Sequence, residues 1–261
     1  VNSNNQDDQK WVGKRVVAEI SWGCDDPDCE WCAKKNYRHC PNRHTIGIWK
    51  KDGCMAEYLT LPTNILFEVP ENVTDEQAVF VEPLAAACEI LEQLHIEPTS
   101  KILVLGDGKL GLTTALTLNA HNLDVLLVGK HQNKLDIAKA QGVKTQLLSD
   151  FSQNQKFDIV VEATGSASGF EMSMSLTKPR GVLVLKSTVA SGKELNLAPI
   201  VIDEITVLGS RCGQFGPALR LLENNRIDFT PFITKTYSID NAIEAFEANK
   251  SKESLKILIK I

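Results

Sequence analysis

The chain has 261 residues, 28 Lys and Arg against 33 Asp and Glu, a formal net charge of -5, and 43% hydrophobic residues. That length is enough for one large or two modest domains with real cores. An acidic balance with no basic stripe excludes nucleic acid and acidic membrane surfaces as partners, and no apolar run approaches the ~20 residues that cross a bilayer.

The opening, VNSNNQDDQK, is polar and patternless and reads as a loop. It lacks the basic start and apolar middle of a signal peptide. The first residue is Val1, and a further segment is expected ahead of it. Residues 14–20 (KRVVAEI) and 56–70 (AEYLTLPTNILFEVP) are rich in β-branched and aromatic residues and read as antiparallel strands of a β-rich region.

Between these strands lie Cys24, Cys29, Cys32 and Cys40, four of the seven cysteines, spaced Cys-x4-Cys-x2-Cys-x7-Cys. Four soft ligands with no open position are what a structural zinc (Zn2+) takes. A pair of disulfides is the alternative. It conflicts with the scattered Cys54, Cys88 and Cys212, whose odd total suits a reducing, cytoplasmic compartment. His39 beside Cys40 is a competing donor, but a fifth ligand is not needed and it reads as lobe surface.

Thr74 then reads as a helix N-cap, with Asp75 and Glu76 well placed in the first turn. A largely helical stretch follows to about Leu94. From Lys101 the chain alternates strand and helix: ILVLG, LGLTTALTLNA, LDVLLVG, NKLDIAKAQG, DIVVEATG, a helix ending near Lys178, GVLVLKST and ITVLGSR. Near-continuous Val, Ile and Leu runs mark strands buried on both faces. They predict an α/β fold with a Rossmann-type, doubly wound parallel sheet. A helix around NAIEAFEANK and a strand LKILIKI close the chain.

Gly106-Asp107-Gly108-Lys109-Leu110-Gly111 joins the first of these strands to its helix as G-x-G-x-x-G. The first glycine allows a tight turn, the second lets backbone approach a pyrophosphate, and the third allows close helix–sheet packing. A ligand-free tight turn is the alternative; the strand–helix–strand context favours a dinucleotide. An NAD-binding strand would next end in Asp or Glu, but this one ends in Gly129, Lys130 and His131. A missing acid followed by a cation favours the 2′-phosphate of NADP(H) over NAD(H), with a solvated surface lysine at 130 as the alternative. Gly129→Asp is accordingly expected to shift preference toward NAD(H).

A β-rich region with a four-cysteine lobe followed by a dinucleotide domain resembles the zinc-containing medium-chain alcohol dehydrogenases, in particular their polyol and threonine dehydrogenase branches. The motifs that carry the resemblance are Gly13-Lys-Arg-Val-Val, the four cysteines, Asp52-Gly-Cys-Met-Ala-Glu-Tyr58, Glu82-Pro83-Leu84-Ala85, the glycine turn and Glu162-Ala-Thr-Gly165. The resemblance implies three parts. Residues 1–82 would form a partial GroES-like catalytic domain with its zinc lobe at 24–40. Residues 83–213 would form the NAD(P)-binding Rossmann domain, and 214–261 would return to the catalytic domain. It further implies zinc-dependent hydride transfer between an alcohol or polyol and a nicotinamide cofactor.

Two departures stand out. Four residues, not two, separate the first two lobe cysteines. The family's catalytic-zinc cysteine and Gly-His-Glu segment do not occur ahead of Gly13. Of that centre, Glu82 remains as a catalytic residue and zinc ligand or neighbour by resemblance, with a helix cap as the alternative; Glu82 alone cannot hold a catalytic zinc, so residues 1–261 by themselves are expected to bind cofactor without oxidising alcohols. Thr164, Ser187, Thr188 and Ser210 follow sheet strands on the ligand side and are nicotinamide-side contacts or plain turn residues. The apolar ITVLG strand would pair with its copy in a homodimer or homotetramer, or lie interior beneath a helix at Pro217–Glu223. Three rival functions remain: a catalytically inactive form that keeps cofactor binding and dimerisation, a zinc-free quinone reductase of the same superfamily, and a methyltransferase on a similar sheet.

Overall fold

The computed structural model describes residues 6–188, 195–251 and 253–261; the expected loop over residues 1–5 lies outside them. The chain forms two units, one of residues 1–82 with 233–261 and one of residues 83–232. The return to the first unit thus starts at 233, because the segment from 214 to 232, with its amphipathic helix Phe215–Glu223, packs within the second. Ala218, Leu219, Leu221 and Leu222 of that helix are all buried.

In the larger unit the strands are β1 (Lys101–Leu105), β2 (Asp124–Gly129), β3 (Lys144–Leu147), β4 (Phe157–Glu162), β5 (Thr177–Leu185) and β6 (Thr206–Gly209). They pair in the order β6-β5-β4-β1-β2-β3, and every pairing is parallel. This is the doubly wound arrangement, with its switch point between β1 and β4. The central strands are apolar because helices cover both faces. Leu103, Val104, Leu127, Val160, Val161, Leu183 and Val184 have no exposed surface. Each such side chain contributes about 1.5–3 kcal/mol of burial.

The edges differ in kind. β3 (KTQL) is nowhere fully buried, which is why no apolar run marks it in the sequence. β6 forms the opposite edge, and its Val207 is 37% exposed. An open, apolar edge rather than a covered interior strand is therefore what ITVLG forms.

Four helices matter for the site: α1 (Val81–Gln93), α2 (Lys109–Ala120), α3 (Gln132–Lys139) and α4 (Ala167–Leu176). Gly108 precedes α2, and His131 is the N-cap of α3. Ser166 caps α4 by accepting from the Gly169 N–H. Thr74 caps the short helix Asp75–Ala78 in a reciprocal box with Gln77, and a break at Val79–Phe80 separates that helix from α1.

In the smaller unit, Val16–Ala18 pairs antiparallel with Leu66–Glu68, as the pattern predicts, though the second strand is far shorter than 56–70. Residues 6–11 form a 3-10 helix rather than a loop. Ser21–Trp22, His44–Ile46 and Lys50–Lys51 form a small sheet that flanks the cysteine lobe. Ile233–Ser238 pairs parallel with Lys256–Lys260. Among the described residues no helix is long and apolar enough to cross a membrane.

Candidate cofactor and metal sites

The glycine turn does three separate things with its three glycines. Gly106 has φ +114°, and a Cβ there would lie 2.7 Å from the Ala163 carbonyl oxygen. Gly111 sits so close beneath the turn that a Cβ would lie 1.9 Å from the Gly106 oxygen. Gly108 has nothing within 4 Å of its would-be Cβ, and it lines a cavity of about 490 Å³ at the C-terminal ends of β1, β2 and β4. Two glycines thus set the turn, and the third leaves bare backbone at the N-terminus of α2, where a phosphate is favoured. That cradle fits a dinucleotide.

The cavity brings together Gly106, Gly108, Gly129, Lys130, His131 and Thr164. Lys109, Leu110 and Gly111 form the first turn of α2 and do not line it; Ser187 and Ser210 do not line it either. Lys134 of α3 does, and it was not legible as a site residue in the sequence. Partial burial, and then repulsion from Lys134, hold the Lys109 amine below the ordinary lysine value. A pair of ammonium groups under mutual repulsion gains from an anion placed near them.

Asp107, the first variable residue of the turn, is 7% exposed. Its Oδ2 accepts the His131 backbone N–H at 2.6 Å, and Nδ1 of the His131 ring lies 3.0 and 3.2 Å from its two carboxylate oxygens. A Cβ on Gly129 would lie 2.4–2.5 Å from the Asp107 side chain. The expected swap Gly129→Asp therefore has no room: a carboxylate already fills that space, delivered from the turn instead of the strand end.

Glu162, fully buried at the end of β4, holds the next turn. Its Oε1 accepts from the Thr164 N–H at 2.7 Å, the Thr164 hydroxyl at 2.5 Å and the Gly165 N–H at 3.1 Å, while Oε2 accepts from the Ser187 hydroxyl. Ser187 in turn accepts from the Gly165 N–H. Lys186, 8% exposed, donates to the Ala86 carbonyl of α1 at 2.5 Å, to the Ser210 hydroxyl at 3.1 Å and to the Arg211 carbonyl at 3.2 Å. The Thr164, Ser187 and Ser210 side chains are thus tied into buried charge-assisted networks that fix the loops after β4, β5 and β6. No local pattern announces these ties, since each joins residues more than twenty positions apart or inside one turn.

In the lobe, the sulfurs of Cys24, Cys29, Cys32 and Cys40 all lie within 4.8 Å of one another. Three of the sulfur pairs are 3.9 Å apart (Cys24–Cys32), 3.7 Å (Cys29–Cys40) and 3.6 Å (Cys24–Cys40). A tetrahedron with Zn–S bonds of about 2.3 Å has edges of about 3.8 Å, so the donors fit zinc. All four cysteines are free of disulfides. Burial, with hydrogen bonds from the other thiols, pushes Cys32 up to about 12; burial also acts on Cys40, but backbone hydrogen bonds pull it down to about 7. Four thiols packed this closely need a cation to be thiolates together. The long loop Asp25-Asp26-Pro27-Asp28 closes without losing Cys24, helped by the Asp28 N–H donating to Asp26 Oδ1.

Glu82 lies in the first turn of α1. Among the described residues only the four cysteines gather as a group of three or more metal donors, so Glu82 is not joined by a ligand set.

Comparison with known proteins agrees with this geometry. The model of the "Glucose dehydrogenase C-terminus" family matches residues 76–261, and that of the "Alcohol dehydrogenase GroES-like domain" matches residues 1–71. Sorbitol dehydrogenase of Halalkalibacterium halodurans is 26% identical over 264 residues, covering 95% of this chain and 76% of its own. D-arabinitol dehydrogenase 1 of Uromyces fabae is 29% identical over 278 residues, covering 100% and 78%. A Sinorhizobium meliloti 1021 protein described as a zinc-binding dehydrogenase, solved with NADP, superposes with TM-score 0.86 at 25% identity, covering 95% and 77%. A fold neighbour from E. coli CFT073, 21% identical with TM-score 0.88, holds NADH.

The chain belongs to the zinc-containing medium-chain dehydrogenases. Within them it is an oxidoreductase of the NAD(P)-linked alcohol dehydrogenase class, similar to the polyol dehydrogenases just named. The four-sulfur lobe sets it apart from a zinc-free quinone reductase, and the two family matches set it apart from a methyltransferase.

Proposed function

We propose that this protein oxidises and reduces polyols with NADP(H) as its preferred cofactor, and that it acts as a homodimer or larger homo-oligomer. The observation that carries the cofactor reading is the cavity itself. Bare Gly108 backbone stands at one part of its wall, and Lys130, His131 and Lys134 stand where the adenosine end of a dinucleotide reaches in such folds. Neighbours solved with NADP and with NADH both exist, so the choice rests on these side chains.

When bound, the nicotinamide cofactor supplies the hydride acceptor or donor. The chain's own residues orient it. The turn of Gly106–Gly111 takes the pyrophosphate, and Glu162 holds Thr164 and Ser187 along the neighbouring turn. Lys186 fixes Ser210 against α1. The lobe cysteines would hold a zinc whose chemistry is structural, because four thiolates leave no open position. Glu82 is the candidate carboxylate on the substrate side. The exposed, proline-free edge of β6 supports pairing between copies, since an unblocked apolar edge invites another strand.

Sorbitol, arabinitol and other polyols offered with NADP+ and with NAD+, followed by nicotinamide absorbance, test the reading. Higher kcat/KM with NADP+ on a polyol supports it. Turnover only with NAD+, or only with substrates other than polyols, refutes the corresponding half.

A further inference from the structure

The space that an NAD-binding strand-end acid would use is filled by Asp107, and Asp107 has committed its carboxylate to one residue, His131. A carboxylate at Nδ1 makes that nitrogen the protonated one, whatever the charge of the ring. Nδ1 and Nε2 lie on opposite sides of the imidazole. All the hydrogen bonds of the His131 ring among the described residues go through Nδ1, the ring lines the cavity, and its side chain is 40% exposed. Nε2 is therefore the ring atom left for a ligand. The charged groups around it are Asp107 from the turn after β1, Lys130 at the end of β2, and Lys134 on α3, with Lys109 of α2 facing Lys134.

We infer that Asp107 and His131 together read the 2′ position of the adenosine ribose, with His131 donating from Nε2 to a 2′-phosphate when the ring is charged. The inference rests on the proposed cavity being the adenosine end of an NADP(H) site. Its logic is a change of hydrogen-bond role. A protonated ring has donors at both nitrogens and favours the phosphate of NADP(H). A neutral ring, its one proton held at Nδ1 by Asp107, presents a lone pair at Nε2. That lone pair repels a phosphate but accepts from the 2′-hydroxyl of NAD(H). Preference for NADPH over NADH should then fall as pH rises across the range in which imidazole side chains change charge. Lys130, Lys134 and Lys109 supply a share of the preference that does not depend on the hydrogen-bond role of the ring. Gly129 is part of the device, because only the lack of a side chain there admits Asp107.

The test is fluorescence titration of the intact protein with NADPH and with NADH between pH 6.5 and 9, a window above the second ionisation of a phosphate monoester near pH ~6. The wild type should lose roughly tenfold or more of its NADPH:NADH affinity ratio across the window, as one hydrogen bond between charged groups is lost. His131→Asn, at a half-exposed N-cap that accepts Asn readily, should start with the lower ratio and show no such slope. Asp107→Asn and Gly129→Ala should flatten the slope as well, the second by displacing Asp107. A merely structural role would weaken both cofactors together and leave the ratio in place. A ratio that favours NADPH yet stays flat with pH in the wild type and unchanged in His131→Asn would overturn the Asp107–His131 reading, while leaving NADP(H) preference to the lysines. Tighter NADH at every pH would overturn the NADP(H) reading itself and this inference with it.

Discussion

Gly23→Ala tests the metal lobe without removing a ligand. A Cβ on Gly23 would lie 2.6 Å from the Cys32 sulfur and 3.1 Å from Tyr37 Cδ1. Ordinary contact begins at 3.4 Å, so the sulfur must retreat by 0.8 Å or the strand end must move. Metal–ligand distances tolerate only about 0.2 Å. The displacement is several times that, and Cys32 cannot keep its bond while the other three sulfurs keep theirs. With a structural zinc contributing on the order of 10 kcal/mol, even a quarter of that lost would weaken binding by roughly seventyfold. Competition with a chromophoric chelator, together with metal analysis of the pure protein, measures the change. Wild-type protein should hold one zinc per chain, and Cys32→Ser should hold none. Gly23→Ala with unchanged stoichiometry and affinity would refute the proposed packing of the lobe around its metal.

The two kinds of glycine in the turn should separate cleanly. Gly108→Val should fold with a normal melting temperature but lose NADPH binding, whereas Gly111→Ala should lower stability by several kcal/mol through its clash with the Gly106 carbonyl. Asp158 accepts from the Lys101 N–H and from Lys178, and these bonds outweigh its burial and hold its carboxyl below the usual value. Its contribution is therefore complete above the unfolded pKa and disappears as pH falls through the lower folded one. Asp158→Asn should cost ~0.5–1 kcal/mol in urea melts at pH 7, the site being part-exposed, and the difference from wild type should vanish as pH falls below the ordinary carboxylate range. Val207→Pro removes a ladder donor from the β6 edge and should turn the oligomer into monomer by light scattering. A wild type that is monomeric at micromolar concentration would dispose of that pairing.

What was legible in the sequence follows from how locally each feature is encoded. The apolar runs of β1, β2, β4 and β5 exist because both faces are covered, and the cysteine spacing and glycine turn are contiguous strings. β3 is not legible because an edge strand needs no apolar run: three of the four residues of KTQL are polar. Ile233–Ser238 lacks an apolar run for the same reason, with Thr234, Lys235 and Thr236 all exposed. The networks of Glu162 and Lys186 pair residues brought together only by the parallel order of the strands. Asp107 was the least legible. It occupies a variable position of the motif, and its effect is visible only as the volume it takes from Gly129.

Hydrogen–deuterium exchange of the intact protein with and without NADPH tests the central claim most directly. The account predicts added protection in residues 106–111, 129–134 and 163–169, all on the cavity or the turn that frames it, with the cysteine lobe unchanged. Saturating NADPH that leaves those three segments exchanging as before, or protects a different part of the sheet, would contradict it.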